Sequence, residues 1–202
     1  MTQNLAVPSQ EPHDVVRFVE AVTDASGLEP LFLEEVLGPD RIHELPSLRA
    51  AMGVPVAGGE VLTRPEEMTS RIRAGCYDIA QPDATVLGGV GPVLDVFRAA
   101  HQEGVSCYTH CWGAGVGVLA NYHAAVAGGG DTVEWPLPEY ALREVLMEGA
   151  VSVQDGVARL TERPGLGIEL TKDIEGAFPF RQDAVYNCLV NPTTVPTAVS
   201  WR

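Results

Sequence analysis

Gln81-Pro82-Asp83-Ala84-Thr85-Val86-Leu87-Gly88-Gly89-Val90-Gly91 is the stretch from which the fold of this 202-residue chain can be read. A short apolar run, Tyr77-Asp78-Ile79-Ala80, leads into it and ends at a single carboxylate, Asp83, and a glycine turn then opens a helix predicted over Gly91–Gln102. In parallel α/β folds, chemistry is placed at the carboxyl ends of strands. Asp83 is therefore the first candidate functional residue.

The same order of elements recurs on both sides of this stretch. Upstream, Val15, Val16, Phe18, Val19 and Val22 fall at helical spacing within Glu11–Ala25, and Pro30-Leu31-Phe32-Leu33 reads as a buried strand running into Glu34-Glu35. A helix predicted over Arg41–Met52 leads to the strand Val54-Pro55-Val56-Ala57, which ends at Gly58-Gly59-Glu60. Pro65-Glu66-Glu67 then opens a helix to Ala74, with proline and acids where a helix start favours them. Downstream, the strand Val105–Thr109 ends at His110, and a small-residue helix spans Ala114–Ala127, apolar nearly all round and hence buried. A fifth strand, Asp131-Thr132-Val133, ends at Glu134. The first residues, around Leu5-Ala6-Val7, read as the end of a further strand, as though the chain began inside an element.

Alternating strands and helices predict parallel strands covered by helices. The expected fold class is α/β: a partial (β/α) TIM-type barrel of about five to six βα units. It carries a C-terminal hairpin extension in which Val151-Ser152-Val153 and Val157–Leu160 flank an Asp155-Gly156 turn. Beyond Pro164-Gly165-Leu166-Gly167 a short helix is predicted around Lys172–Ala177, followed by an irregular tail. The predicted organisation is therefore a barrel segment over 1–150 with a hairpin, helix and tail over 151–202.

Composition sets bounds on function. A net charge of −14 repels phosphate backbones and anionic lipids, so neither nucleic acid nor membrane is an expected partner. Cys76, Cys107, Cys111 and Cys188 are scattered through a chain too large to need disulfides, and no secretory leader opens the sequence. A reduced, cytoplasmic protein is expected. Cys107, His110 and Cys111 lack the second Cys/His pair of a zinc site. Gly88-Gly89-Val90-Gly91 lacks the rest of a dinucleotide fingerprint, so it reads as a tight turn.

Glu34, Glu60, Asp83, His110 and Glu134 end successive strands at separations of 26, 23, 27 and 24 residues. Each interval holds one strand, one helix and two loops, so in a barrel the five side chains converge on one mouth. Two carboxylates from adjacent strands suit a hard cation such as Mg²⁺. An aspartate beside a histidine can orient the ring and raise its basicity. Glu134 is left as a proton donor opposite them. Glu35, Asp78 and Asp131 are out of this phase and are assigned to supporting or surface roles.

Over Leu31 to Leu170 these residues resemble the barrel domain of the enolase superfamily, in its mandelate racemase/muconate lactonizing enzyme branch. The matching stretches are Phe32-Leu33-Glu34-Glu35, Pro55–Glu60, Gln81-Pro82-Asp83 with Gly88-Gly89, Thr109–Gly113, Val133-Glu134 and Pro164–Gly167. The resemblance implies Glu34 and Glu60 as Mg²⁺ ligands, Asp83 and His110 as a general-base dyad, and Glu134 as the acid facing the substrate carboxylate or its enolate. The expected chemistry is removal of the proton α to a carboxylate of a small-molecule substrate through an enediolate. Dehydration of an acid sugar or racemisation of a 2-hydroxy acid would follow. An Asp–His pair resembles the dehydratase and racemase members, because the lactonizing members carry a lysine at the position of Asp83.

The chain also departs from the family pattern. Val36 stands where the family usually has a proline, and neither the capping domain nor the strand with a Lys-x-Lys base is represented. One unit before Glu34, the segment Val7–Glu11 holds no aspartate for the first metal ligand, with Glu11 a weak stand-in. The alternative expectation is a truncated, catalytically inactive barrel fragment that acts at most in association or binding. Its unpaired strand edges would favour a homo-oligomer.

Overall fold

The computed structural model describes residues 12–137 and 140–180, which fall into two compact units, one running through Glu169 and one from Leu170. The strand expected at Leu5–Val7 and the stand-in ligand Glu11 lie outside the described residues. The hairpin expected to begin a separate C-terminal segment lies within the first unit.

The first unit is built on a parallel sheet in sequence order. It consists of β1 (Leu33–Glu34), β2 (Val56–Gly58), β3 (Ile79–Ala80) and β4 (Ser106–Cys107). Leu33 pairs with Val56, Ala57 with Ile79, and Ile79 with Ser106, and a parallel bridge between Thr109 and Val133 adds the fifth position. The pairing regular enough to count as strand is shorter than the apolar runs predict, and the fifth strand shrinks to that bridge. Single backbone bonds carry the ladder further toward the carboxyl end: Gln81 N donates to Gly58 O, Tyr108 N to Ala80 O, and His110 N to Pro82 O at 3.2 Å. These bonds align the residues that follow each strand.

The helices follow the strands. α1 (Pro12–Ser26) starts on proline and stops at Gly27, whose φ of +67° few other residues accept. The helix expected over Arg41–Met52 is divided into a 3₁₀ segment (Pro39–Glu44) and α2 (Leu45–Ala51). Pro46 has no N–H to bond back along a continuous helix, so a new helix begins there. α3 (Pro65–Arg73) buries Met68 and Ile72. A single turn, α4 (Ala84–Leu87), precedes α5 (Val90–Glu103), and the turn between them is made by Gly88 and Gly89 at φ +102° and +119°. α6 (Gly115–Ala127) buries Val118, Leu119, Asn121, Tyr122, Ala124 and Ala125. A further helix, α7 (Ala141–Met147), was not expected from the sequence: it has seven residues and follows a stretch containing two prolines, too short to show a period.

Hydrophobic burial holds the unit together. Val15, Val56, Met68, Val93 and Val96 are fully buried in one cluster, each worth roughly 1.5–3 kcal/mol of transfer free energy. A second cluster joins Cys111, Val118, Leu119 and Tyr122 to Met147 and Ala150. The hairpin forms as predicted: β5 (Val151–Gln154) and β6 (Val157–Leu160) pair antiparallel across Asp155 and Gly156, both at positive φ. α8 (Lys172–Ala177) belongs to the second unit, with the Thr171 hydroxyl accepting from Ile174 N as its cap. Among the described residues no helix is long and apolar enough to cross a membrane.

Candidate active site

The parallel ladder delivers five ionisable side chains to one end of the sheet. Asp83 caps α4 directly after β3, and His110 follows β4, one step away across the His110 N to Pro82 O bond. Their side chains meet: His110 Nδ1 lies 2.8 Å from Asp83 Oδ2. On the other side of the ring, His110 Nε2 is 3.5 Å from Glu60 Oε2. Glu34, only 7% exposed, accepts from Gln81 Nε2 at 2.6 Å. Glu134 Oε2 accepts from Cys111 N at 2.6 Å, which ties the fifth strand end to the fourth.

Charge and burial shape these groups together. Burial pushes the Glu60 pKa up to about 7; the His110 charge opposes this, while Glu35, Glu34 and Glu134 reinforce it. Burial raises Glu34 as well, against the Gln81 hydrogen bond and with help from the Glu134 charge. Burial alone would lower His110, but the Asp83 hydrogen bond and the charges of Glu60, Glu134 and Asp83 overcome it and raise the ring to about 9. Asp83 moves the other way: burial disfavours its charge, yet hydrogen bonds from His110, Asn121 and Thr85 hold its pKa below the usual aspartate value. The Glu134 charge thus acts on Glu34, Glu60 and His110, as a carboxylate close to all three would.

Of the acids assigned to supporting roles, Glu35 and Asp78 organise the site's frame. Glu35, at φ +47°, turns back so that its Oε1 accepts from Gly59 N at 2.6 Å, fixing the loop that carries Glu60. Asp78 accepts from Val56 N at 2.9 Å and from Arg49 Nε at 2.7 Å, pinning β2 against β3. Asp131 is exposed.

Three side chains at the site went unnoticed in the sequence. Gln81 bonds Glu34, Thr85 bonds Asp83, and Asn121 reaches from α6 to Asp83 Oδ1 at 2.8 Å. The next residue on α6, Tyr122, donates its hydroxyl to the Glu134 backbone carbonyl at 2.8 Å. A signal for Asn121 did exist, since an amide within a helix apolar nearly all round must find a hydrogen-bond partner.

The donor chemistry fits a hard divalent cation in part. Glu34 and Glu60 offer carboxylate oxygens, and the buried Gln81 Oε1 next to Glu34 has no hydrogen-bond partner among the described residues. Among the described residues, no cluster of three or more His, Cys, Asp or Glu side chains is arranged to hold a metal ion. Cys76, Cys107 and Cys111 are buried free thiols.

Residues 8–174 match the family described as enolase C-terminal domain-like. D-galactarolactone cycloisomerase of Agrobacterium fabrum is 28% identical over 178 residues, covering 84% of this chain and 47% of that enzyme. Arabinonate dehydratase of Saccharolobus solfataricus is 27% identical, covering 78% of this chain and 43% of that protein. Among solved structures, an enolase from Pantoea ananatis with bound D-gluconate and Mg superposes with a TM-score of 0.71 at 26% identity, over 84% of this chain and 41% of that one. The 3,6-anhydro-D-galactonate cycloisomerase of Zobellia galactanivorans shares the fold, with a TM-score of 0.73 at 23% identity, over 87% and 48% of the two chains. The chain spans less than half the length of these relatives. With its parallel sheet and strand-end acids, it belongs to the mandelate racemase/muconate lactonizing enzyme family of the enolase superfamily.

Proposed function

We propose that this chain takes part in Mg²⁺-dependent removal of the proton α to a carboxylate, with dehydration of an acid sugar as the outcome. The observation that carries this reading is the 2.8 Å contact between Asp83 Oδ2 and His110 Nδ1. That bond keeps the proton on Nδ1 and leaves Nε2 as the basic nitrogen, turned toward the acids of the mouth.

His110 Nε2 takes the α-proton, and the C–H electron pair moves into the substrate carboxylate to give an enediolate. Glu134, held by Cys111 N, faces that carboxylate as hydrogen-bond partner and acid. The β-hydroxyl then leaves as water with the proton that His110 took up, as the enediolate electron pair forms the Cα–Cβ double bond, which completes a dehydration; racemisation would instead require a proton donor on the opposite face. Glu34 and Glu60 are the residues that would hold Mg²⁺, which when bound supplies positive charge to stabilise the developing enediolate. Relatives named as an arabinonate dehydratase and as D-galactonate dehydratase family members support an acid-sugar substrate.

The test is exchange of the α-proton in D₂O with Mg²⁺ and a panel of aldonates and aldarates, read by NMR. His110→Asn should abolish exchange, and exchange surviving that change would remove His110 as base. A second reading, a non-catalytic binding fold, is favoured by the finding that no three His, Cys, Asp or Glu side chains among the described residues are arranged to hold a metal ion. That reading predicts no exchange with any member of the panel.

A further inference from the structure

Asp83 divides its two carboxylate oxygens between separate tasks. Oδ1 accepts from Thr85 N at 2.7 Å, from Thr85 Oγ1 at 2.8 Å and from Asn121 Nδ2 at 2.8 Å. Oδ2 is left for His110. A helix cap alone explains the bond to Thr85 N, as any aspartate preceding α4 would make it. It does not explain why a fully buried asparagine on a helix 38 residues further along the chain reaches the same oxygen. The amide is engaged at both ends, since Asn121 Oδ1 also accepts from Ala84 N at 2.8 Å. It therefore grips side chain and backbone at the carboxyl end of β3 at once, and the carboxylate cannot rotate about its own axis without breaking three bonds.

We infer that Asn121, with Thr85, is a positioning element that locks Asp83 Oδ1 so that Oδ2 alone meets His110 and keeps the ring's proton on Nδ1. The inference rests on the dyad proposed above, but it concerns which residues set the dyad's geometry. Without the lock, the carboxylate could turn either oxygen, or neither, toward the ring. A positioning shell of this kind must hold a site to within about 0.5 Å to preserve its function.

The test uses the 202-residue chain without substrate, reading the His110 Nδ1–H proton by ¹⁵N-edited NMR and assigning it by its disappearance in His110→Gln. In Asn121→Leu and in Thr85→Val the lock predicts solvent exchange of that proton faster by on the order of ten-fold, because a charge-assisted bond has lost its fixed acceptor. A residue that merely packs would leave the exchange unchanged in a variant that still folds, as checked by circular dichroism. Thr85 is exposed, so Thr85→Val is tolerated and reads the hydroxyl's share of the lock, while Asn121→Ser, smaller and still polar, reads the amide's share where Asn121→Leu does not fold. Unchanged exchange in both Thr85→Val and the folded Asn121 variant overturns the lock. The readout needs no turnover: an inactive chain with an intact lock counts against the proposed function alone, and unchanged exchange in an active chain counts against the lock alone.

Discussion

Glu60 and Asp83 flank the His110 ring from opposite sides, Glu60 Oε2 at 3.5 Å from Nε2 and Asp83 Oδ2 at 2.8 Å from Nδ1. The two carboxylates differ in kind. Asp83 is held charged by donors from its own loop and from α6, whereas Glu60 carries a pKa near 7 because burial and neighbouring acids oppose its charge. The ring between them is raised to about 9, because the Asp83 hydrogen bond and the surrounding carboxylates outweigh its burial.

Glu60→Gln should lower the His110 pKa from about 9, since it removes one of the charges that stabilise the imidazolium. Ring titration by NMR measures this directly. An unchanged midpoint would mean that the Glu60 carboxylate does not reach the ring in solution.

Stability should depend on pH at both ends of the range through the dyad. The folded pKa of Asp83 lies below its usual 3.8, so its contribution is present above that value and is lost as pH falls through the folded pKa. The folded pKa of His110 is raised from 6.5 to about 9, so its contribution is complete below about 6.5 and is lost as pH rises through about 9. Urea midpoints measured across pH should show the alkaline loss in the native sequence and a flatter alkaline limb in His110→Gln.

Asp78→Ala should destabilise the chain by about 1–3 kcal/mol, because it strands the Val56 N–H at a fully buried position. Arg49→Ala removes a partly exposed ion pair and a 3.3 Å hydrogen bond to the Gly75 carbonyl and should cost less, about 1 kcal/mol. Urea unfolding of the two variants compares them. Equal losses would show that the ion pair, and not the backbone bond, joins β2 to β3.

Gly59→Ala should destabilise by about 1–3 kcal/mol and disturb the loop holding Glu60. Its φ of +107° disfavours any side chain, and an added Cβ would run into the Met68 thioether. Thermal melts give the loss, and a native-like melting temperature would argue against both constraints.

The sequence by itself determined the order of strands and helices, the parallel sense of the sheet and the phase that puts Glu34, Glu60, Asp83, His110 and Glu134 at one end. Each of these follows from local periodicity and the length of a βα unit, which a linear chain displays directly. It did not disclose α7, too short for a period, nor the break that Pro46 introduces before α2. Only the tertiary structure decided the partners of the acids: Gln81 for Glu34 across 47 residues, Asn121 for Asp83 across 38, and the Cys111 N–H for Glu134. Periodicity tells which face a residue occupies, but a hydrogen bond also needs a rotamer and an approach within about 3 Å between elements distant in sequence, and that is set only once the sheet and α6 have packed.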